Sequence, residues 1–508
     1  MPTLYTNFKW GFTGEPQSML LENGRVVDRF ANGNPKSKIN NPKSVDFGGR
    51  WLMPAFIDEH CHILPTGLDL QKLNLGGCET HDQVLETLRE RLPEIESGRW
   101  LLAVHYDQTR FPGGEHLTRN DLDKISKDVP ILLRHVSGHA SVGNSAALKA
   151  ASIRDDEPDF SGGTFRRDAS GVVDGVLLER AHEKVSAAAP NPSFEEMVEA
   201  IRLAGTRMGE LGISCASDMM TGRFNLDQEL RAYTRAAELG CPVRLRLYMQ
   251  WGAVLGPRRL DPALLADHEA AMNADTCRIA GIKIFADGAI GSATAAIYGQ
   301  FSSAGAPPAQ SRPEACATSG TLMYPPERLN HMVKTAHDAG YQVAIHSIGD
   351  YSTDLVMNAL EATGDPKRHR IEHAMILSDA QIERLAKLGC RVTMQPEFLI
   401  RFAHSYLHQL GPERRSKLKR ANSVLKAGIP LGFSSDRPIV AGDPRDGIRT
   451  IANRPEGYDR SENIAIEDAW LGYTSRAAYA NGDGSRMGSL TAGQFGDFQL
   501  FDRDPLVL

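Results

Sequence analysis

Two histidines stand two residues apart in Phe56-Ile57-Asp58-Glu59-His60-Cys61-His62, directly after the apolar run Trp51-Leu52-Met53-Pro54-Ala55. The period of two of an extended strand puts Asp58, His60 and His62 on one face, with Glu59 and Cys61 on the other. Imidazoles presented in this way can hold a divalent ion. Further nitrogen and oxygen donors follow at the ends of later apolar stretches: Lys283, His346, Glu372 with His373, and Asp436. Neutral imidazole and carboxylate suit zinc, and a catalytic zinc keeps one position open for water. Lys283 sits inside Gly281-Ile282-Lys283-Ile284-Phe285. An ammonium buried there needs a partner or a chemical change. Asp287 or Asp218 would supply the partner in a purely structural reading.

Such donors are far apart in sequence and need a scaffold that gathers them. One join recurs: an amphipathic helix, a closing glycine, then a short apolar strand with a polar residue at its far end. The glycines are Gly212, Gly240, Gly340, Gly389 and Gly428. Glycine just past a helix end accepts the left-handed conformation that side chains resist. Ser193 with Glu196, and Ser378 with Gln381, have the spacing of capping boxes at helix starts. The strands are nearly continuous in apolar residues, as in a parallel sheet buried on both faces. Segments 51–62, 213–218, 241–250, 279–287, 341–347, 369–374, 390–395 and 429–436 give eight of them. The fold class expected is α/β, a (β/α)8 TIM-type barrel, whose chemistry lies at the C-terminal ends of the strands. No G-x-G-x-x-G turn follows the first strand, which argues against a dinucleotide-binding sheet.

Residues 1–50 and 488–508 have the texture of short strands and turns and are predicted to form a small β domain beside a barrel spanning 51–487. The stretch from about 63 to 190 is too long for a loop between the first two strands and is expected to be an inserted subdomain. It holds a helical pattern over 81–95 (Val84, Leu85, Leu88, Leu92, Ile95) and the Gly-rich segment 159–175. The chain has 508 residues and a net charge of -6, so nothing in it suggests a nucleic-acid surface. Its densest basic cluster, 412–420, reads as a solvated helix face. Seven cysteines without a C-x-x-C pair fit reduced, buried thiols. No secretory signal and no membrane-length apolar run is visible, so a cytoplasmic protein that acts on a small molecule is expected.

The longer motifs resemble those of the amidohydrolase superfamily, and within it the YtcJ-like (amidohydrolase family 3) branch. They run through "FGGRWLMPAFIDEHCH", "RHVSGHASVGNSAAL", "GGTFRRDASGVVDGVLLERA", "GIKIFADGAIGSATA", "AIHSIGD", "RIEHA" and "FSSDRPI" and so cover nearly the whole chain. The resemblance implies a distorted barrel with a flanking β-sandwich built from both chain ends, often in a homodimer. It also implies one or two zinc ions. His60, His62 and Asp436 would hold the first, and His346 and His373 the second. Lys283 matches the position of a carboxylated lysine that bridges two metals in related enzymes. Ala55 stands where the family usually has Gly, and Ser347 where it usually has Ala.

The reaction so implied is hydrolysis of a C–N bond in an amide, cyclic amide or N-formyl group. Asp436 is expected to move the proton, and His373 or His346 to assist oxyanion stabilisation if only one metal is bound. His139 is the candidate for substrate binding, with Asn144 and Glu179 behind it, and Asp58 is expected to orient a histidine ring. A deaminase or ester hydrolase would use the same ligands. A barrel without catalysis would come out without metal, and carbon–carbon or isomerisation chemistry is a further alternative on the same superfamily.

Overall fold

A computed structural model describes residues 2–31, 42–136, 140–160, 163–302 and 318–507. Eight strands form the central sheet: β1 (Phe56–Cys61), β2 (Ile213–Thr221), β3 (Arg244–Gln250), β4 (Cys277–Phe285), β5 (Gln342–Ser347), β6 (Arg370–His373), β7 (Arg391–Met394) and β8 (Leu431–Phe433). All neighbours pair in parallel, in chain order. Just beyond the strand ends the circle closes. Asp436 N donates to His60 O at 2.7 Å, and His62 N donates to Arg437 O at 2.8 Å. The closing bonds are therefore made by site residues themselves.

The strands are apolar on both faces because helices cover the outside and side chains fill the inside. Every residue of β1 is buried. The five predicted helix-end glycines have left-handed backbone, with φ of 81° at Gly212, 81° at Gly240, 90° at Gly340, 68° at Gly389 and 74° at Gly428. Both capping boxes form: Ser193 N donates to Glu196 Oε2 at 2.6 Å, and Ser378 N to Gln381 Oε1 at 3.0 Å.

The opening run is not one strand, as its apolar character suggests, but two. Trp51–Pro54 belongs to a separate six-stranded sheet with Thr3–Trp10, Pro16–Glu22, Arg25–Ala31, Lys43–Asp46 and Phe498–Phe501. Pro54 has no N–H to continue a ladder, and the chain changes sheets at Ala55, whose N–H goes to Asp497 O. Phe8, Trp10, Met19, Leu21, Val26 and Leu52 form the core of this mixed sheet.

The chain divides into two compact units, residues 65–200 and the remainder. The unit 65–200 has its own six-stranded sheet, in the order 163–167, 173–179, 140–143, 131–135, 101–106, 73–74. Val84 and Leu88 pack there with Leu101, Ile131, Leu133 and Val142. The helix predicted over 81–95 ends at Arg91, and Leu92–Glu94 tightens to a 3-10 turn around Pro93. No helix among the described residues is long and apolar enough to cross a membrane.

Candidate metal centre

The strand ends bring His60, His62 and Asp436 together. Among the described residues this is the one group of three or more potential ligands whose donor atoms all lie within 4.8 Å of one another. His62 Nε2 is 2.8 Å and His60 Nε2 3.4 Å from Asp436 Oδ1. All three residues are buried. Two imidazole nitrogens and one carboxylate oxygen are a donor set for zinc. Burial alone would raise the Asp436 carboxyl, but the His60 and His62 rings hold it well below the usual carboxylate range. It is therefore ionised near neutral pH.

His60 is aimed from behind. Its Nδ1 lies 2.5 Å from Glu372 Oε2, which assigns the ring proton to Nδ1 and leaves Nε2 for the site. Glu372 is fixed in turn by Arg370, two residues earlier on the same strand face; Arg370 Nη2 donates to Glu372 Oε2 at 3.0 Å. Arg370 also donates to Glu59 O at 2.9 Å and to Asn481 Oδ1 at 2.7 Å. Burial opposes the charge on Glu372, yet Arg370 and then His60 outweigh it and hold the carboxyl well below its ordinary range. Glu59 has the opposite fate: burial pushes it well above, in spite of Arg370.

Lys283 reaches the same point. Its Nζ is 3.2 Å from His60 Nε2, and burial pulls its pKa down to about 8 against the pull of Glu372 and Asp436. The structural partners expected for it are engaged elsewhere. Asp218 accepts from Ile63 N at 2.8 Å and from the Tyr233 hydroxyl. Asp287 accepts from Ile348 N, Gly349 N, Ser352 Oγ and Ala296 N, all between 2.7 and 3.0 Å. It thereby ties the end of β4 to the turn after β5.

His346 and His373 stand beside the compact group rather than in it. Ring centroids are 4.8 Å apart for His60 and His373, and 4.5 Å for His346 and His373. His346 Nε2 lies 2.9 Å from Gly288 O. Burial, with Lys283 adding to it, brings the His346 pKa down to about 3, so the ring is neutral. His373 Nδ1 lies 2.8 Å from Gln395 Oε1. His373 and Asp436 are non-glycine residues with φ of 72° and 60°, a conformation that only an over-determined surrounding sustains.

The remaining candidate residues have surroundings of their own. Asp58 orients no histidine: it accepts from Ser435 N at 3.0 Å and Ser435 Oγ at 2.5 Å, with Arg437 Nε 3.7 Å away, and so pins the end of β8 to β1. Ser347 turns to Ser352 Oγ and Thr353 Oγ1, each at 3.0 Å. Asn144 is a structural cap: its Oδ1 accepts from Ile131 N and Ala147 N, both at 2.9 Å. Glu179 closes the strand Val173–Glu179 with φ of 53°. His139 lies outside the described residues. The basic cluster 412–420 is not wholly a solvated face, because Lys419 is fully buried. Its Nζ donates to Gln395 Oε1 at 3.2 Å. Leu418, also buried, is the one local sign that the chain turns inward there. A cleft of about 530 Å³ lies at the strand starts, lined by Ala55, Gly212, Ile213 and Gln499 among others; no ligand candidate lines it, and that end of a barrel serves stability.

Residues 43–508 match the model of the amidohydrolase family. The chain belongs to that family. It is 28% identical over 519 residues to YtcJ of Bacillus subtilis (strain 168), an inferred amidohydrolase, covering 99% of this chain and 94% of that one. It is 26% identical over 513 residues to the N-substituted formamide deformylase of Arthrobacter pascens, covering 96% and 90%. Among solved structures, an uncharacterized metal-dependent hydrolase from Pyrococcus horikoshii OT3 superposes with a TM-score of 0.80 at 26% identity, covering 100% of this chain and 99% of that one. In this amidohydrolase the buried His60, His62 and Asp436 form a group that could hold a metal ion.

Proposed function

We propose that this amidohydrolase cleaves the C–N bond of an amide or N-formyl group, with zinc held by His60, His62 and Asp436. The observation that carries the reading is the convergence of those three donors within 4.8 Å, away from bulk water. The N-formyl class draws support from the similarity, over 96% of this chain, to an N-substituted formamide deformylase.

A bound zinc supplies Lewis acidity toward water and toward a carbonyl oxygen. The chain's own residues do the rest. Asp436, ionised at neutral pH, accepts the proton of the attacking water and passes it to the departing nitrogen. Glu372 keeps the His60 proton on Nδ1, so that Nε2 stays a donor of electrons. His373 and His346, both neutral by burial, line the same point without adding charge. The compact set suits one ion. Lys283, His346 and His373 complete a second position once Lys283 is carboxylated, a step that needs the free amine its lowered pKa provides.

The test is formate release from N-substituted formamides, with amides and cyclic amides in parallel, and zinc counted per chain with and without bicarbonate. The expected result is one zinc without bicarbonate and two with it. D436N is expected to lower kcat by roughly 10²–10⁴-fold. Full activity in H60A/H62A after chelation would overturn the reading.

A further inference from the structure

Lys419 is delivered to the site by a rigid backbone. It is fully buried with φ of 49°. Its N–H donates to Met375 O at 2.9 Å, and its carbonyl accepts from Ala421 N at 2.8 Å and Arg454 Nη1 at 2.7 Å. The amine faces two oxygens, Gln395 Oε1 at 3.2 Å and His373 O at 3.5 Å. A lysine ammonium has three N–H donors and no acceptor, and two of those donors match these two oxygens.

The consequence falls on Gln395, whose amide has an oxygen end and a nitrogen end of similar shape. Its Nε2 is 3.1 Å from Ser434 Oγ, and a hydroxyl tolerates either end. His373 Nδ1, in a ring that carries its proton on either nitrogen, tolerates either end too. Lys419 as an ammonium discriminates, because it only donates and has no lone pair to accept from the amide nitrogen, so it pairs with the oxygen alone. With Oε1 fixed toward Lys419, the same oxygen lies 2.8 Å from His373 Nδ1, and that nitrogen must carry the proton. The lone pair is then on His373 Nε2, the form that a metal ligand or a proton acceptor requires.

We infer that Lys419 is a positioning residue that locks His373 in its Nδ1-protonated tautomer by orienting the Gln395 amide. The catalytic consequence rests on the reading of the site above; the tautomer itself does not.

The test uses the full chain loaded with one zinc in the absence of bicarbonate, with ¹⁵N-labelled histidine, the His373 signals being assigned by their loss in H373N. The wild type is expected to show the Nδ1–H form. In K419M the amide is free to turn, so the Nε2–H form is expected to grow and kcat to fall by roughly 10–100-fold. K419M/Q395E is expected to restore the tautomer and most of kcat, because a carboxylate offers oxygen at both ends; simple loss of packing would not be repaired in this way. If K419M does not fold, Q395L removes the same acceptor and is expected to release the tautomer as well. An Nε2–H form in the wild type, or a spectrum unchanged in K419M and in Q395L, would refute the inference. The expected spectra in a protein that hydrolyses no amide or formamide would leave the tautomer lock standing and remove the proposed function instead.

Discussion

Glu372 concentrates the site's electrostatics in one side chain. It touches a ligand candidate on one side and a fully buried guanidinium on the other. Its carboxyl binds a proton less readily in the folded chain than in the unfolded one. The stability it contributes is therefore complete above the unfolded value of about 4.3, and is lost as pH falls through that value and further toward its folded pKa. Replacing it by Gln leaves Arg370 with a weakened partner at the bottom of the site. E372Q is expected to lose about 3–5 kcal/mol at pH 7, and its deficit against the wild type should shrink in urea titrations run below about pH 4. Glu59 is the control. Burial already holds it toward the neutral form, so E59Q should change stability at pH 7 by less than about 1 kcal/mol. An equal loss in the two variants would show that the Glu372 charge does not matter. The spacing Arg370-x-Glu372 inside an apolar strand is visible in sequence, since a period of two puts both on one face. What it cannot reveal is that His60, 312 residues away, is the ring they serve.

Elements meet the site through close backbone approaches. Gly349, at the turn between β5 and the helix Asp350–Glu361, donates to Asp287 Oδ2 at 2.8 Å. A Cβ added there would lie 1.8 Å from Ala296 O, a backbone atom that cannot swing aside. G349A is expected to cost about 1–3 kcal/mol and to disturb the Asp287 hub that joins the β4 and β5 ends. A thermal melt of G349A as stable as the wild type would show that the turn yields. At this scale the sequence is informative, because glycine past a helix and apolar strands are local signatures. The eight barrel strands and the five left-handed glycines follow from them. The change of sheet at Ala55 does not, since Trp51–Pro54 and β1 have the same apolar texture and differ only in which strands lie beside them. Lys419 is hidden for a similar reason. Its neighbours Arg414, Arg415 and Lys417 face outward in varying degree, and charge composition averages one buried amine into the same cluster.

Across the molecule, every potential ligand in the compact group belongs to one of the two units: His60, His62 and Asp436 all fall outside 65–200. An ion that binds only the folded form stabilises it by RT ln(1 + [L]/Kd), about 2.7 kcal/mol at a free concentration 100 times Kd. That stabilisation reaches the amides whose opening breaks the site and no others. The joint between β1 and β8 is such a place, because Asp436 N and His62 N make the bonds that close the barrel there. Removal of the bound metal by a chelator is therefore expected to speed hydrogen exchange in peptides covering 56–62 and 431–437. Peptides covering 131–135 and 173–179 lie in the sheet of the other unit and should keep their rates. Acceleration of equal size in both sets would mean that the ion stabilises the chain as a whole. No acceleration in the first set would mean that His60, His62 and Asp436 do not hold it.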